Sequence, residues 1–176
     1  DLNLKIPGKL NMMAKGEFLR LNDLTNVDLH NLSLNFDIPN ADFLVNCLDK
    51  KLLAGTGITI PRGIGIKGTA GMRGTDYIFD LMATEGGGWI KLKGWFNPDK
   101  QSYDVDAQSH LLAVNHFMPS LGVGRLTANI KADGHGFDPF LASTRIKANG
   151  NIGAVQYDKY NIQNVKINAL LANGHA

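Results

Sequence analysis

Hydrophobic and polar residues alternate along most of the chain. In segment 32–38, leucine, phenylalanine and isoleucine at the even positions alternate with Ser33, Asn35 and Asp37. A strand with one dry face and one wet face requires this period of two. The same alternation returns in the segments 77–83, 90–94, 103–107, 126–132 and 165–169. The pattern therefore predicts a strand at each of these places.

Turn-forming residues separate the alternating segments. They are Asn97-Pro98-Asp99, Asp133-Gly134-His135-Gly136, Asn149-Gly150-Asn151 and the glycines from Gly86 to Gly88. Short breaks of this composition favour tight connections between consecutive strands. We therefore predict an all-β fold, an antiparallel sheet built as a β-meander.

Residues 40–49 depart from the alternation. The residues Pro39-Asn40-Ala41-Asp42 can begin a helix. The apolar residues that follow lie on one side at helical spacing, and they are Phe43, Leu44, Cys47 and Leu48. We predict one short helix here, an insert at about 40–49 that lies on the sheet or covers one end of it. Cys47 is the single cysteine, and we expect it to pack as a small hydrophobic residue.

The charge and the apolar runs of the sequence argue against some classes of function. Charged residues make up 19% of the chain, the net charge is +2, and Lys and Arg are spread along it, so we expect no nucleic-acid partner. No apolar run approaches the roughly 20 residues of a spanning helix. The sequence starts at Asp1 and stops within a continuing pattern. We therefore expect residues 1–176 to be a single segment of a longer, repeat-like β region.

One sequence matches the dinucleotide fingerprint G-x-G-x-x-G, at residues 63–68. That fingerprint binds a pyrophosphate only where its third glycine opens a helix. Here the residues that follow are Thr69-Ala70-Gly71-Met72-Arg73-Gly74, which form a poor helix. We predict a strand whose glycines allow close backbone approach.

Polar residues that could carry chemistry are scattered. The set that could be combined into a metal site is His110, His116, Asp133, His135 and Asp138, and its spacing matches no compact ligand pattern. Asp104 and Asp106 share one strand face, which we interpret as the solvated side. We assign no catalytic residue, metal or cofactor, and expect the chain not to be an enzyme.

Several motifs, taken in order, resemble the repeats of TamB and AsmA-like proteins of the bacterial envelope. The motifs are Gly68-Thr69-Ala70-Gly71, residues 77–81, residues 90–96 and residues 101–105. The continuation is similar to the version found in Bacteroidetes-type bacteria, in Asn115-His116-Phe117-Met118-Pro119, residues 126–132, residues 134–139 and residues 162–167. The resemblance covers the chain from about Leu29 onward.

The resemblance implies a fold and a function. The fold is an extended, sharply curved antiparallel sheet, shaped like a groove or taco, whose concave side is apolar. The function is the transport of phospholipid between the inner and outer membranes, in the biogenesis of the outer membrane. The residues expected to face lipid are Phe79, Leu81, Leu92, Val105, Ile130, Ile146 and Ile167. Small residues on the same side would leave room for acyl chains, or would equally let two sheets approach closely in a closed sandwich. They are Gly94, Ala107, Ala128, Ala148 and Ala169.

The same resemblance implies a location and partners. We expect the segment in the periplasm, anchored to the envelope through regions outside it. The partners are phospholipid acyl chains, neighbouring repeats of the same chain and, as a further candidate, an outer-membrane β-barrel protein. Exposed strand edges predict edge-to-edge association of the segment.

The alternation also fits a protein of a different class. A closed β-sandwich or solenoid module of a surface protein, with a structural or binding role, has the same period of two. A closed sandwich packs its inner faces densely, whereas a lipid trough leaves a continuous apolar groove.

One register follows from the charges. A two-residue Pro98-Asp99 turn would place Lys93 opposite Asp104 and Leu92 opposite Val105.

Overall fold

The computed structural model describes residues 1–19, 28–40, 59–136, 138 and 141–172. These residues form one antiparallel sheet of ten strands, each paired with the strands next to it in sequence. The strands are β1 (Leu2–Ile6), β2 (Leu10–Leu19), β3 (Asp28–Ile38), β4 (Ile64–Arg73), β5 (Asp76–Glu85), β6 (Gly88–Asn97), β7 (Ser102–Ala113), β8 (Val123–His135), β9 (Arg145–Tyr157) and β10 (Tyr160–Ala172). The sheet is curved. It is also open, because β1 and β10 are not paired with each other. The predicted all-β meander is confirmed.

The two faces of the sheet differ in polarity, as the alternation predicts. Leu34, Leu92 and Ile130 lie on one side, which we call the apolar face. The other side, the polar face, carries Lys93 and Lys131 among its residues. All six alternating segments lie inside strands, and the G-x-G-x-x-G sequence lies across the start of β4. It is a strand there, as predicted.

The connection between β7 and β8 contains a helix that the sequence did not predict. Helix α1 (Val114–Phe117) is a single turn, followed by a 3₁₀ turn at Pro119–Leu121. Four residues are too few to show a helical period. The insert predicted at about 40–49 lies outside the described residues beyond Asn40, as does Cys47. No helix in the described ranges has the length and hydropathy that crossing a membrane demands.

Two predicted turns are strand residues instead. Asn149-Gly150-Asn151 lies within β9, and Asp133-Gly134-His135 forms the end of β8. At Gly150 a Cβ atom would overlap the carbonyl oxygen of Asn129 on β8. The glycine therefore serves a close approach of two strands and not a turn. Its flanking asparagines lie on the polar face, opposite Lys131 and Asn129.

The register predicted between β6 and β7 is wrong by two residues. Lys93 pairs with Asp106 and Leu92 with Ala107, because Asn97 pairs with Ser102 and leaves residues 98–101 as the loop. The Oδ1 atom of Asn97 accepts a hydrogen bond of 2.7 Å from the backbone N–H of Lys100. A four-residue loop of this kind displaces the register from that of a two-residue turn. A shift by two keeps every side chain on its predicted face.

Bulges and close approaches bend the sheet. The register shifts at Ser109/Leu112 between β7 and β8 and again at Val123/Leu126 between β8 and β9. At Gly94 a Cβ atom would overlap the carbonyl oxygen of Asp104 on β7. Bulges and glycines at such positions allow a sheet to curve strongly.

The most buried apolar cluster lies at one end of the apolar face, which we call the α1 end. Leu10, Ile38 and Ile64 are its buried residues, and Phe117 and Ile60 pack against them. The backbone N–H of Thr59 donates a 2.7 Å hydrogen bond to the carbonyl of Phe117. Helix α1 and residues 59–60 thus cover the apolar face at this end.

Candidate functional site

Two cross-strand rows of side chains traverse the apolar face over all ten strands. Row 1, nearer the α1 end, consists of Leu4, Met12, Phe36, Ile66, Ala83, Ile90, Ser109, Ala128, Ile152 and Val165. Row 2 consists of Leu2, Ala14, Leu34, Gly68, Leu81, Leu92, Ala107, Ile130, Gly150 and Ile167. None of these residues is charged, and Ser109 alone has a polar side chain. The two rows form an uncharged band that is apolar except at the buried Ser109.

Two shorter rows extend the band toward the end of the sheet opposite α1. Row 3 runs from β3 to β10 through Leu32, Ala70, Phe79, Gly94, Val105, Ala132, Ala148 and Ala169. Row 4 runs over the same strands through Leu29, Met72, Tyr77, Phe96, Tyr103, Gly134, Ile146 and Leu171. Four adjacent rows are therefore apolar or aromatic on this side.

All seven residues that the sequence assigns to lipid contact lie on this face. Four of them are in row 2, namely Leu81, Leu92, Ile130 and Ile167; Phe79 and Val105 are in row 3 and Ile146 in row 4. Each of the seven is partly exposed. The structure thus brings them together on one surface, and their contact with lipid stays a prediction.

Small residues interrupt the large ones along the rows. The five residues expected to leave room, Gly94, Ala107, Ala128, Ala148 and Ala169, all lie on the apolar face. In row 2, Ala107 lies between Leu92 and Ile130, and Gly150 lies between Ile130 and Ile167. The face therefore has depressions beside its larger side chains.

Aromatic side chains stack in row 4. The rings of Tyr77 and Phe96 are 5.6 Å apart between centroids and nearly parallel. The neighbouring Tyr103 has its pKa raised, first by burial and then by the negative charge of Asp133. A tyrosine hydroxyl with the ordinary pKa of about 10 is already neutral at neutral pH, and the raised pKa of Tyr103 leaves it so.

Charged residues lie mainly on the polar face. Nζ of Lys91 is 3.3 Å from the carboxylate of Asp80, and Nζ of Lys131 is 3.8 Å from that of Asp104. These side chains are between 38% and 60% exposed, so each pair contributes about 0–1 kcal/mol. Asp104 and Asp106 share the solvated face, as predicted. The partition of charge leaves the opposite side apolar.

Glu85 is the exception among the described strands, because it lies in line with Ile64 on the apolar face. Its side chain is only 10% exposed, and Oε1 lies 2.8 Å from Nδ1 of His116 in α1. A nearly buried carboxylate requires such a partner. The pair joins α1 to β5 and reinforces the cover at the α1 end.

The histidines do not converge. His110 lies beside Trp89 near the end of β7, with ring centroids 6.0 Å apart, whereas His135 pairs with Ser102 at the start of β7. His116 pairs with Glu85. Within the described residues, no group of three His, Cys, Asp or Glu side chains is placed to hold a metal ion.

Some apolar-face residues escaped the sequence prediction. Ile66 lies within the glycine-rich motif, and Ile152 follows residues that were assigned to a turn. Both lie in row 1. Extending the period of two through these glycines and asparagines would have placed them on the apolar face.

A comparison of the chain with models of protein families, with curated proteins and with solved structures found no significant match. The resemblance to TamB and AsmA-like proteins therefore stays a prediction.

Proposed function

We propose that this chain is a segment of a bacterial envelope protein of the TamB and AsmA-like type, whose apolar sheet face carries phospholipid acyl chains between the inner and outer membranes. The observation that supports this proposal best is the pair of uncharged rows that cross all ten strands. A continuous apolar band of this kind offers acyl chains a surface that water does not solvate well.

The dimensions of the band suit a lipid. Ten strands at a spacing of about 4.8 Å make each of rows 1 and 2 roughly 43 Å long, and four rows span roughly 20 Å along the strands. One leaflet of a bilayer has a hydrocarbon layer of about 15 Å, half of the ~30 Å core. Acyl chains therefore fit on the band either along the rows or along the strands.

The size of the band also supports the proposal that lipid covers it. Because rows 3 and 4 cross only eight strands, its outline corresponds to roughly 770 Å² at these spacings, beyond the 300–600 Å² that the largest apolar patch of a soluble monomer usually reaches. Only five hydrophobic side chains of the described residues are buried, three of them at the α1 end. The described residues form a single sheet, so none of them supplies a second sheet of the kind that a closed sandwich needs.

The location and partners follow from this proposal. The segment works in the periplasm, and other parts of the same protein anchor it to the envelope. Neighbouring repeats extend the sheet from the outer edges of β1 and β10, and an outer-membrane β-barrel protein receives the lipid.

Lipid analysis tests the proposal. We expect phospholipid to copurify with the chain from bacterial membranes in amounts that mass spectrometry quantifies. Leu92→Glu puts a charge into row 2 and should lower the lipid content severalfold, whereas Lys93→Glu changes the charge of the polar face and should not. Circular dichroism verifies that both variants keep their strands. A chain free of lipid, or equal loss in the two variants, would contradict the proposal.

A further inference from the structure

A cavity of about 580 Å³ opens on the sheet near the end opposite α1. Its floor includes Gly71 of β4, which has no side chain, and its walls include Asn31 in the bulge of β3 and the paired residues Ile78 and Trp95. Gly71, Ile78 and Trp95 lie in line on the polar face. The lining also includes Leu29, Ala70, Met72, Phe79 and Gly94 of rows 3 and 4, so the cavity borders the lipid band. The polar-face residues of the lining support the inference below, which does not rest on the function proposed for the band.

Trp95 exposes part of its surface at the edge of the cavity. It lies in β6, near the middle of the sheet, where 40% of it is exposed, and its neighbour Ile78 is 49% exposed. Trp95 and Ile78 pair with each other across β5 and β6, and the rest of each side chain faces solvent on the polar face. A flat, exposed ring beside a cavity is suited to stacking against a ligand.

The charges around the cavity balance. Arg73 and Lys93 supply two cations, and Asp76 and Asp80 supply two carboxylates. Asp80 already has Nζ of Lys93 at 4.0 Å, and Asp76 accepts a hydrogen bond from the side chain of Asn97. Neither a strongly anionic nor a strongly cationic ligand finds an excess of opposite charge here. A neutral ligand with many donors and acceptors fits this set of groups.

We propose that this cavity binds a neutral saccharide. One face of a sugar ring consists largely of C–H groups and stacks on the indole of Trp95, while the hydroxyls at its edge exchange hydrogen bonds with Asn31, Asp80 and Lys93. Gly71 leaves space for the ring to approach the sheet, because a side chain at that position would fill the floor.

Tryptophan fluorescence gives a direct test. The chain has two tryptophans, so Trp89→Phe leaves the emission of Trp95 alone. We expect a saturable change in that emission when maltohexaose, cellohexaose or chitohexaose is added at millimolar concentrations to the full chain. Glucose 6-phosphate serves as the anionic probe and should bind no more tightly than glucose.

Variants locate the site. In Trp95→Ala, the affinity measured by saturation-transfer NMR should fall about tenfold or more, whereas Tyr160→Ala removes a more exposed ring on β10 and should leave it unchanged. Circular dichroism shows whether each variant is folded. The absence of a saturable response to all three oligosaccharides would overturn the proposal. Undiminished binding by folded Trp95→Ala, or a clear preference for glucose 6-phosphate, would overturn it as well.

Discussion

At the scale of single residues, Gly94 and Gly87 differ in how closely the neighbouring strand approaches them. Replacing each by alanine therefore distinguishes the cost of crowding from the cost of replacing a glycine as such. A Cβ atom at Gly94 would overlap the carbonyl oxygen of Asp104, whereas at Gly87 nothing lies within 4 Å of it. We expect Gly94→Ala to lower the free energy of unfolding by about 1–3 kcal/mol. Gly87→Ala should change it by less than about 0.5 kcal/mol. Urea unfolding followed by circular dichroism measures both, and equal effects would show that Gly94 is not crowded.

The face of the residues in the alternating segments was predictable from the sequence, whereas their contacts were not. Leu92 and Ile130 lie where the period of two placed them, because alternation fixes the side of the sheet irrespective of register. Asn97 is only 1% exposed, and its side chain holds both its own loop and Thr75 of the neighbouring turn. Such contacts depend on the loop conformation, for which Asn97-Pro98-Asp99 offers several alternatives. The Asn-Gly sequence at 149–150 is likewise compatible with a turn and with a strand that another strand approaches closely, so the sequence alone did not distinguish the two.

At the scale of secondary structure elements, the β6–β7 hairpin fixes the register of the centre of the sheet. Because Lys93 pairs with Asp106 and not with Asp104, cysteines at the first pair of positions lie within disulfide distance. We expect Lys93→Cys/Asp106→Cys to oxidise readily in a Cys47→Ala background, and Lys93→Cys/Asp104→Cys to oxidise slowly, since diagonal positions are farther apart. Thiol titration after mild oxidation gives the result. Faster oxidation of the second variant would contradict this register and support the one that a two-residue Pro98-Asp99 turn predicts.

The contact between α1 and residues 59–60, which cover the apolar face at the α1 end, was not predictable from the sequence pattern. The hydroxyl of Thr59 donates a hydrogen bond to the carbonyl of His116, across a separation of 57 residues. Neither segment alternates, and α1 is a single turn. Their meeting depends on the curvature of the strands between them, which no local period encodes.

At the scale of the whole molecule, the sheet ends in two strands whose outer edges have no partner among the described residues. The last of them, β10, has 13 residues and only one charged side chain, Lys166. Long edges with few charges pair with other strands. We expect the chain to associate with rising concentration in sedimentation velocity experiments. Ile162→Lys on this edge should weaken association, and Ile78→Lys in the middle of the sheet should not. A species that stays monomeric at every concentration would argue against open edges.

The central claim is that one face of the sheet contacts lipid, and site-specific photo-crosslinking tests it most directly. A photoreactive amino acid is placed at Leu92, Val105, Ile130 or Ile167 on the apolar face, and in matched variants at Lys93, Asp104 or Lys131 on the polar face. The protein is irradiated in bacteria whose phospholipids carry radioactive phosphate, and the purified chain is assayed for label. The account predicts labelled chain from the four apolar positions and background from the three polar ones. Equal labelling from both faces, or none from either, would contradict it.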